Sequence, residues 1–291
     1  MRIGVALVLG ACGRIAFDPA PPPDACTFGA FSPPARLAGP IQSTQDDWGP
    51  TPTRGGLELF FYSFRTGSVA GDLYHATRPS LDADFSAALR VDELASDVDD
   101  GSPTLTDDGL VLAFQRAGDL FEATRPAPDA AFGTATMLSI SSASADGDPF
   151  MSADGLRVVF VSSRIGPDQH GLDLFEATRS DRTAAFGQPV ELAGLNSDVD
   201  EVAPTLSPDG LEIFFASRRL GGPGGTDIYT ARRPALDQPF SAPVLVPELT
   251  SARDDTGLRL ASDGVTIYLD YDALTAGGAN ADLWTAVRSC Q

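Results

Sequence analysis

Histidine is almost missing from this sequence: His75 and His170 are the only two in 291 residues. That scarcity leaves no material for a His-rich metal site or a Ser-His-Asp arrangement, and each histidine reads as an ordinary exposed residue. Long apolar runs are as scarce. Beyond the first dozen residues nothing approaches the roughly 20 apolar residues of a membrane span. No window carries an apolar stripe at helical spacing, and 29 glycines with 23 prolines exclude long helices. Basic residues are half as numerous as acidic ones, 20 against 40, for a net charge of −20. Such a surface repels nucleic acid and anionic headgroups and favours cations and basic partner surfaces. The run Gly221-Gly222-Pro223-Gly224-Gly225 lacks the Lys and Ser/Thr of a phosphate-binding loop and reads as a hairpin connection.

What the sequence does hold is one sentence written five times. A turn glycine recurs as Gly56, Gly109, Gly155, Gly210 and Gly264, each just ahead of an apolar run. An aspartate then opens the next strand as Asp72, Asp119, Asp173, Asp227 and Asp282, and an arginine closes it as Arg78, Arg125, Arg179, Arg232 and Arg288. Thirteen residues after each of the first four aspartates stands Phe85, Phe132, Phe186 or Phe240. Each unit holds four short runs with turn signals between them, such as Pro204 to Ser207, Leu211 to Ser217, Asp227 to Arg232 and Phe240 to Val246. Four strands in units of about 50 residues predict an all-β fold, a five-bladed β-propeller of four-stranded antiparallel blades. The second run is apolar on both faces (Leu57-Glu58-Leu59-Phe60-Phe61; Val158-Val159-Phe160-Val161), as a strand sandwiched between blades requires. The aspartates that open the third strand stand once per unit, which points to a scaffold role in accepting backbone hydrogen bonds.

The last unit stops short of its phenylalanine strand, and Phe31-Ser32-Pro33-Pro34-Ala35-Arg36-Leu37 matches Phe186 to Leu192. The N-terminal strand is therefore expected to complete the C-terminal blade. Residues 1–11 resemble a bacterial lipoprotein signal peptide: Arg2, then apolar Ile3 to Leu9, then the lipobox Leu9-Gly10-Ala11-Cys12. The resemblance implies acylation of Cys12, an outer-membrane address set by Gly13, and exposure to the periplasm or the cell exterior. Residues 12–25, with Pro19, Pro21, Pro22 and Pro23, read as a tether. Residues 26–291 then form one domain. With Cys12 lipidated, Cys26 and Cys290 remain as an even pair in an oxidising compartment. Cys290 lies eight residues after Asp282 and Cys26 five before Phe31, and 8 + 5 restores the thirteen-residue spacing. A Cys26–Cys290 disulfide closing the ring is expected, the alternative being free or intermolecular thiols.

Ser207-Pro208-Asp209-Gly210, an apolar run, and Gly225-Thr226-Asp227-Ile228-Tyr229 resemble the WD40-like propeller repeat of TolB-like periplasmic proteins. The match covers nearly everything after the tether, with five units where six are typical of that family. It implies a fold and an envelope setting more than an activity.

Acidic clusters precede the first strand of every unit, among them Asp47, Asp100, Asp148, Asp200 and Asp255. First strands line a propeller's channel, so these five are candidates for a cation site such as Ca²⁺ at one mouth, against the plainer reading that they form Asx turns. No catalytic residue stands out. The expected function is a non-catalytic binding or assembly module, monomeric, with an envelope protein or a glycan as partner. The alternative is carbohydrate binding or glycoside hydrolysis at the acidic mouth, with paired carboxylates.

Overall fold

The computed structural model describes residues 28–65, 67, 70–164, 171–271 and 281–290. In chain order, β1 (Phe28–Phe31) and β2 (Ala35–Arg36) precede the first full blade, β3 (Asp47–Thr53), β4 (Glu58–Ser63), β5 (Asp72–Thr77) and β6 (Leu89–Arg90). The second blade is β7 (Asp100–Leu105), β8 (Val111–Arg116), β9 (Asp119–Thr124) and β10 (Thr136–Met137); the third is β11 (Asp146–Met151), β12 (Arg157–Ser162), β13 (Asp173–Thr178) and β14 (Val190–Glu191). The fourth is β15 (Glu201–Leu206), β16 (Glu212–Ser217), β17 (Asp227–Arg232) and β18 (Val244–Leu245). The last is β19 (Asp255–Leu260), β20 (Thr266–Tyr271) and β21 (Asp282–Cys290), completed by β1 and β2. Neighbouring first strands pack around a closed circle, β3 on β7, β7 on β11, β11 on β15, β15 on β19 and β19 on β3. This is the expected five-bladed propeller.

The closing strand has the register read from the sequence: Ala35 pairs with Thr285 and Arg36 with Trp284, as Val190 pairs with Glu176 and Glu191 with Phe175. One feature differs. β21 runs nine residues where other third strands run six, and β1 pairs along its extra length, Phe28 opposite Cys290. Cys12 and Cys26 lie outside the described residues, as do the signal, the whole of the tether and His170. The fourth strands are also shorter than Phe240 to Val246 suggests. Each is two residues, and the phenylalanines precede them as packing plugs.

What those plugs pack against corrects the arginine register. Position 233, not 232, is equivalent to Arg78, Arg125, Arg179 and Arg288, each six residues past its aspartate. All five donate from Nε to the carbonyl of the turn glycine in their own blade, at 2.6–2.9 Å. The guanidinium lies over the plug ring, for example Arg233 over Phe240 and Arg179 over Phe186, both at 4.4 Å. It also reaches the preceding blade: Arg125 to Glu58, Arg179 to Glu122, Arg233 to Glu176 and Arg288 to Glu212. At the closure, Arg78 donates to the Tyr268 hydroxyl instead. The turn glycines hold φ between 67° and 84°, a left-handed conformation that a side chain strains. Five buried apolar clusters fill the five seams between blades.

Candidate functional site

Superposing the five units on their own sequence separates what repeats from what does not. The first strands align as Asp47-Trp48-Gly49-Pro50-Thr51, Asp100-Gly101-Ser102-Pro103-Thr104, Asp146-Gly147-Asp148-Pro149-Phe150, Glu201-Val202-Ala203-Pro204-Thr205 and Asp255-Thr256-Gly257-Leu258-Arg259. The first four carry a bulge at their third and fourth residues, and the fifth carries its irregularity one place earlier, at Thr256. Four of the bulges begin with φ > 0, at Gly49, Ser102, Asp148 and Ala203. A bulge leaves one residue out of the ladder, which lets proline occupy an inner strand and turns the residue before it to the channel.

The opening acid of each strand repeats and is structural. Asp47, Asp100, Asp146, Glu201 and Asp255 are all buried, each hydrogen-bonded to a serine four residues earlier. Four are clasped by an arginine from the end of the second strand: Arg65, Arg116, Arg164 and Arg219. That arginine also lies over two aromatic rings of its blade, as Arg164 does over Phe160 and Phe175, both at 5.1 Å. These serines and arginines went unread in the sequence, although both recur at nearly constant spacing. The fifth blade has no such arginine among its described residues. Burial pushes the Asp255 carboxyl up to about 6, against hydrogen bonds from Ser251.

The five candidate cation ligands therefore do not form a ring. Asp47, Asp100 and Asp255 turn into their own blades. Asp200 precedes the equivalent Glu201 and accepts from the Leu172 amide of the neighbouring blade, as Asp99 accepts from Gly71 and Asp46 from Ala281. Only Asp148 lies at the bulge, two residues past its own blade's buried acid. Among the described residues no group of three or more His, Cys, Asp or Glu side chains is placed to hold a metal ion. The aspartates that open the third strands sit where expected, with Asp72 paired to Arg90 and Asp282 to Arg36. His75 is no free surface residue. It stacks on Phe60 at 5.4 Å, with Nδ1 3.3 Å from Glu58. Burial of Glu58 would raise its carboxyl, but His75 and Arg125 bring it below the ordinary value.

The residues that break the repeat converge on the channel. In the slot of Thr51, Thr104 and Thr205 the fifth blade carries Arg259. Its buried guanidinium crosses the channel, Nη1 donating to Pro204 and Leu258 and Nη2 to Pro149 carbonyls at 2.9–3.1 Å. Burial lowers this group to about 10, opposed by Asp148 and Asp270. Arg259 lines both channel mouths and separates them. One cup, of about 420 Å³, opens on the first-hairpin side. The other, of about 340 Å³, opens where the first strands begin and is called the upper cup here.

Into the upper cup come Trp48 and Tyr62 of the first blade, Asp148 of the third, Arg218 beside the fourth, and Asp270 of the fifth. Asp270 is buried. It accepts from the Gly49 amide at 2.7 Å and the Gly257 amide at 2.9 Å. Burial, with Asp148 adding, still pushes it up to about 6. Asp148 accepts from the Ser102 hydroxyl at 2.6 Å and the Ala203 amide at 3.2 Å. Burial and the carboxylates Asp270, Asp148, Asp99 and Asp46 raise the Tyr62 phenol above its ordinary value.

No protein-family model matches the chain, and no curated protein sequence matches it. Solved structures share the fold. TolB from Acinetobacter baumannii superposes with a TM-score of 0.52 at 14% identity, over 84% of this chain and 55% of that one. The putative TolB from Agrobacterium tumefaciens gives 0.54 at 20% identity, over 86% and 80%. A thermostable family-43 glycoside hydrolase gives 0.57 at 12% identity, over 87% and 92%.

Proposed function

We propose that this chain is a non-catalytic binding module of the cell envelope, held at the membrane through Cys12 and closed by a Cys26–Cys290 disulfide, with the upper cup as its ligand face. One observation carries the reading. The positions fixed in all five units serve the scaffold, whereas the channel positions that vary, Trp48, Tyr62, Asp148, Arg259 and Asp270 among them, collect at this cup. A ring made of one repeated unit needs no such differences to fold, so their concentration at one mouth marks the surface selected for something else. Arg259 closes the channel beneath the cup, and Asp148 and Asp270 spend hydrogen-bonding capacity on backbone amides and a serine, which favours holding a ligand over transforming one.

A photo-crosslinking residue in place of exposed Arg218 is expected to give a discrete adduct in envelope preparations. One in place of Arg182, which pairs with Asp108 near the first hairpins, should give none. Adducts from position 182 alone would overturn this assignment of the face. The second reading is glycoside hydrolysis. It rests on two carboxyl groups sharing the cup, Asp148 and Asp270, the second pushed up to about 6 by burial with Asp148 adding, since a carboxyl pair is what such chemistry uses. It requires release of nitrophenol from aryl arabinofuranosides or xylosides, abolished in Asp148→Asn. The binding reading expects no release above buffer.

A further inference from the structure

We infer that the upper cup takes a single neutral saccharide ring, stacked on Trp48 or Tyr62 and hydrogen-bonded by Asp148 and its neighbours. This rests on the cup being the ligand face and names what that face recognises.

The charges around the cup decide which ligands it refuses. Its floor is the Arg259 guanidinium, whose Nε has no hydrogen-bond partner among the described residues. Its rim carries Arg218, held toward Asp200 at 3.2 Å. Two guanidiniums disfavour an ammonium or a guanidinium guest. The carboxylates Asp148, Asp200 and Asp270, in a protein of net charge −20, disfavour an anion. A neutral hydroxyl is the group that every side chain here accommodates, because it donates to a carboxylate and accepts from a guanidinium at once. Asp148 has capacity for this: its two described hydrogen bonds leave part of a carboxylate's roughly four acceptor sites open.

The walls add shape. Trp48 and Tyr62 stand side by side on β3 and β4 as register partners, and both are partly exposed. A partly exposed indole and phenol offer flat apolar surfaces with polar edges, suited to the C–H face of a pyranose or furanose. The cup, at about 340 Å³, sits at the low end of small-ligand pockets, roughly 300–1,000 Å³. One ring or a chain end fits that size, not an extended run of polymer.

The test uses the full chain and non-hydrolysable probes: methyl glycosides of glucose, galactose, xylose, arabinofuranose and N-acetylglucosamine, with arginine amide and tetramethylammonium as cationic controls. Saturation-transfer NMR should show contact with at least one glycoside. Its titration should shift tryptophan emission saturably, a response that Trp48→Phe removes because the remaining Trp284 is buried in the last blade. Asp148→Asn should weaken binding tenfold or more. Transfer to the cationic controls alone, or to no probe at all, would overturn the inference. A crosslink still forming at position 218 would then leave the binding face intact without a saccharide. Turnover of aryl glycosides alongside methyl glycoside binding would instead overturn the non-catalytic reading and leave the saccharide site standing.

Discussion

Every one of the 20 basic residues in this protein is arginine; the sequence contains no lysine. The two repeated arginine positions explain the choice. Each guanidinium must bond a backbone carbonyl, meet a carboxylate or hydroxyl, and lie flat on a ring, tasks that need a planar fork of several donors rather than a point charge. Arg233 and Arg232 test this side by side. Arg233 is buried between Gly210, Glu176 and Phe240, whereas Arg232 is largely exposed over Glu212. Arg233→Ala should cost about 2–4 kcal/mol in urea unfolding, because it strands a buried network. Arg232→Ala should cost under about 1 kcal/mol. Equal losses would refute the assignment of 233 to the repeat. The missing clasp at Asp255 gives the opposite sign. Residues 272–280 contain no Arg or Lys to supply it. A carboxyl raised to about 6 in the folded state binds its proton more tightly than the unfolded chain does. Its contribution to stability is full below the unfolded value near 4 and lost as pH rises through 6. Asp255→Asn should therefore stabilise the protein at pH 7 by on the order of 1–2 kcal/mol, and the gain should vanish by pH 4. Asp100→Asn, which breaks the pair with Arg116, should destabilise at pH 7. A destabilising Asp255→Asn at pH 7 would mean that this acid has a cationic partner after all.

At the scale of the strand, the closing element is the one whose contacts are drawn from both chain ends. Phe31 packs edge-on against Phe214 of the neighbouring blade at 5.8 Å, and Arg288 lies 3.8 Å over Phe28. Phe31→Ala should cost about 3–5 kcal/mol by chemical denaturation, as for other large buried rings; a loss below about 1 kcal/mol would mean that β1 is not held in the blade. That this segment completes the last blade was legible because a repeat displays its own gaps: Phe31 to Leu37 matches Phe186 to Leu192 residue for residue in spacing. The turn glycines were legible for the same reason. The channel was not. Asp148 and Asp200 looked interchangeable with Asp47 in composition, and only the bulge, which shifts side chains by one place, sends Asp148 to the channel and Asp47 into the blade. Arg259 was hidden too, since one arginine in a threonine slot carries no periodic signal and its role depends on carbonyls two blades away. The same holds for Trp48 and Tyr62: a repeat reveals what it copies, and a site is made of what it does not.

For the molecule as a whole, a ring has no end until its two termini are joined, and the order of events at that seam decides how stable the ring can be. Along four seams a carboxylate of one blade meets the arginine of the next, but between the last blade and the first Arg78 reaches the Tyr268 hydroxyl among the described residues, a neutral partner in place of a charged one. Within the last blade, β1 and β2 from the N-terminal end can pair with β21 only once the far end of the chain has been laid down. A covalent link between Cys26 and Cys290 would compensate at this place. Phe28 stands opposite Cys290 in the sheet, and Cys26 lies outside the described residues. Joining ends so far apart in sequence removes unfolded-state entropy worth about 5 kcal/mol in the chain-entropy model. For a domain of this size that corresponds to roughly 10 °C in Tm. Oxidised protein should show two fewer hydrogens by mass than reduced protein and should melt higher by about that interval. Cys290→Ser should melt as reduced wild type does and be indifferent to reductant. Two free thiols in the oxidised protein would refute the link.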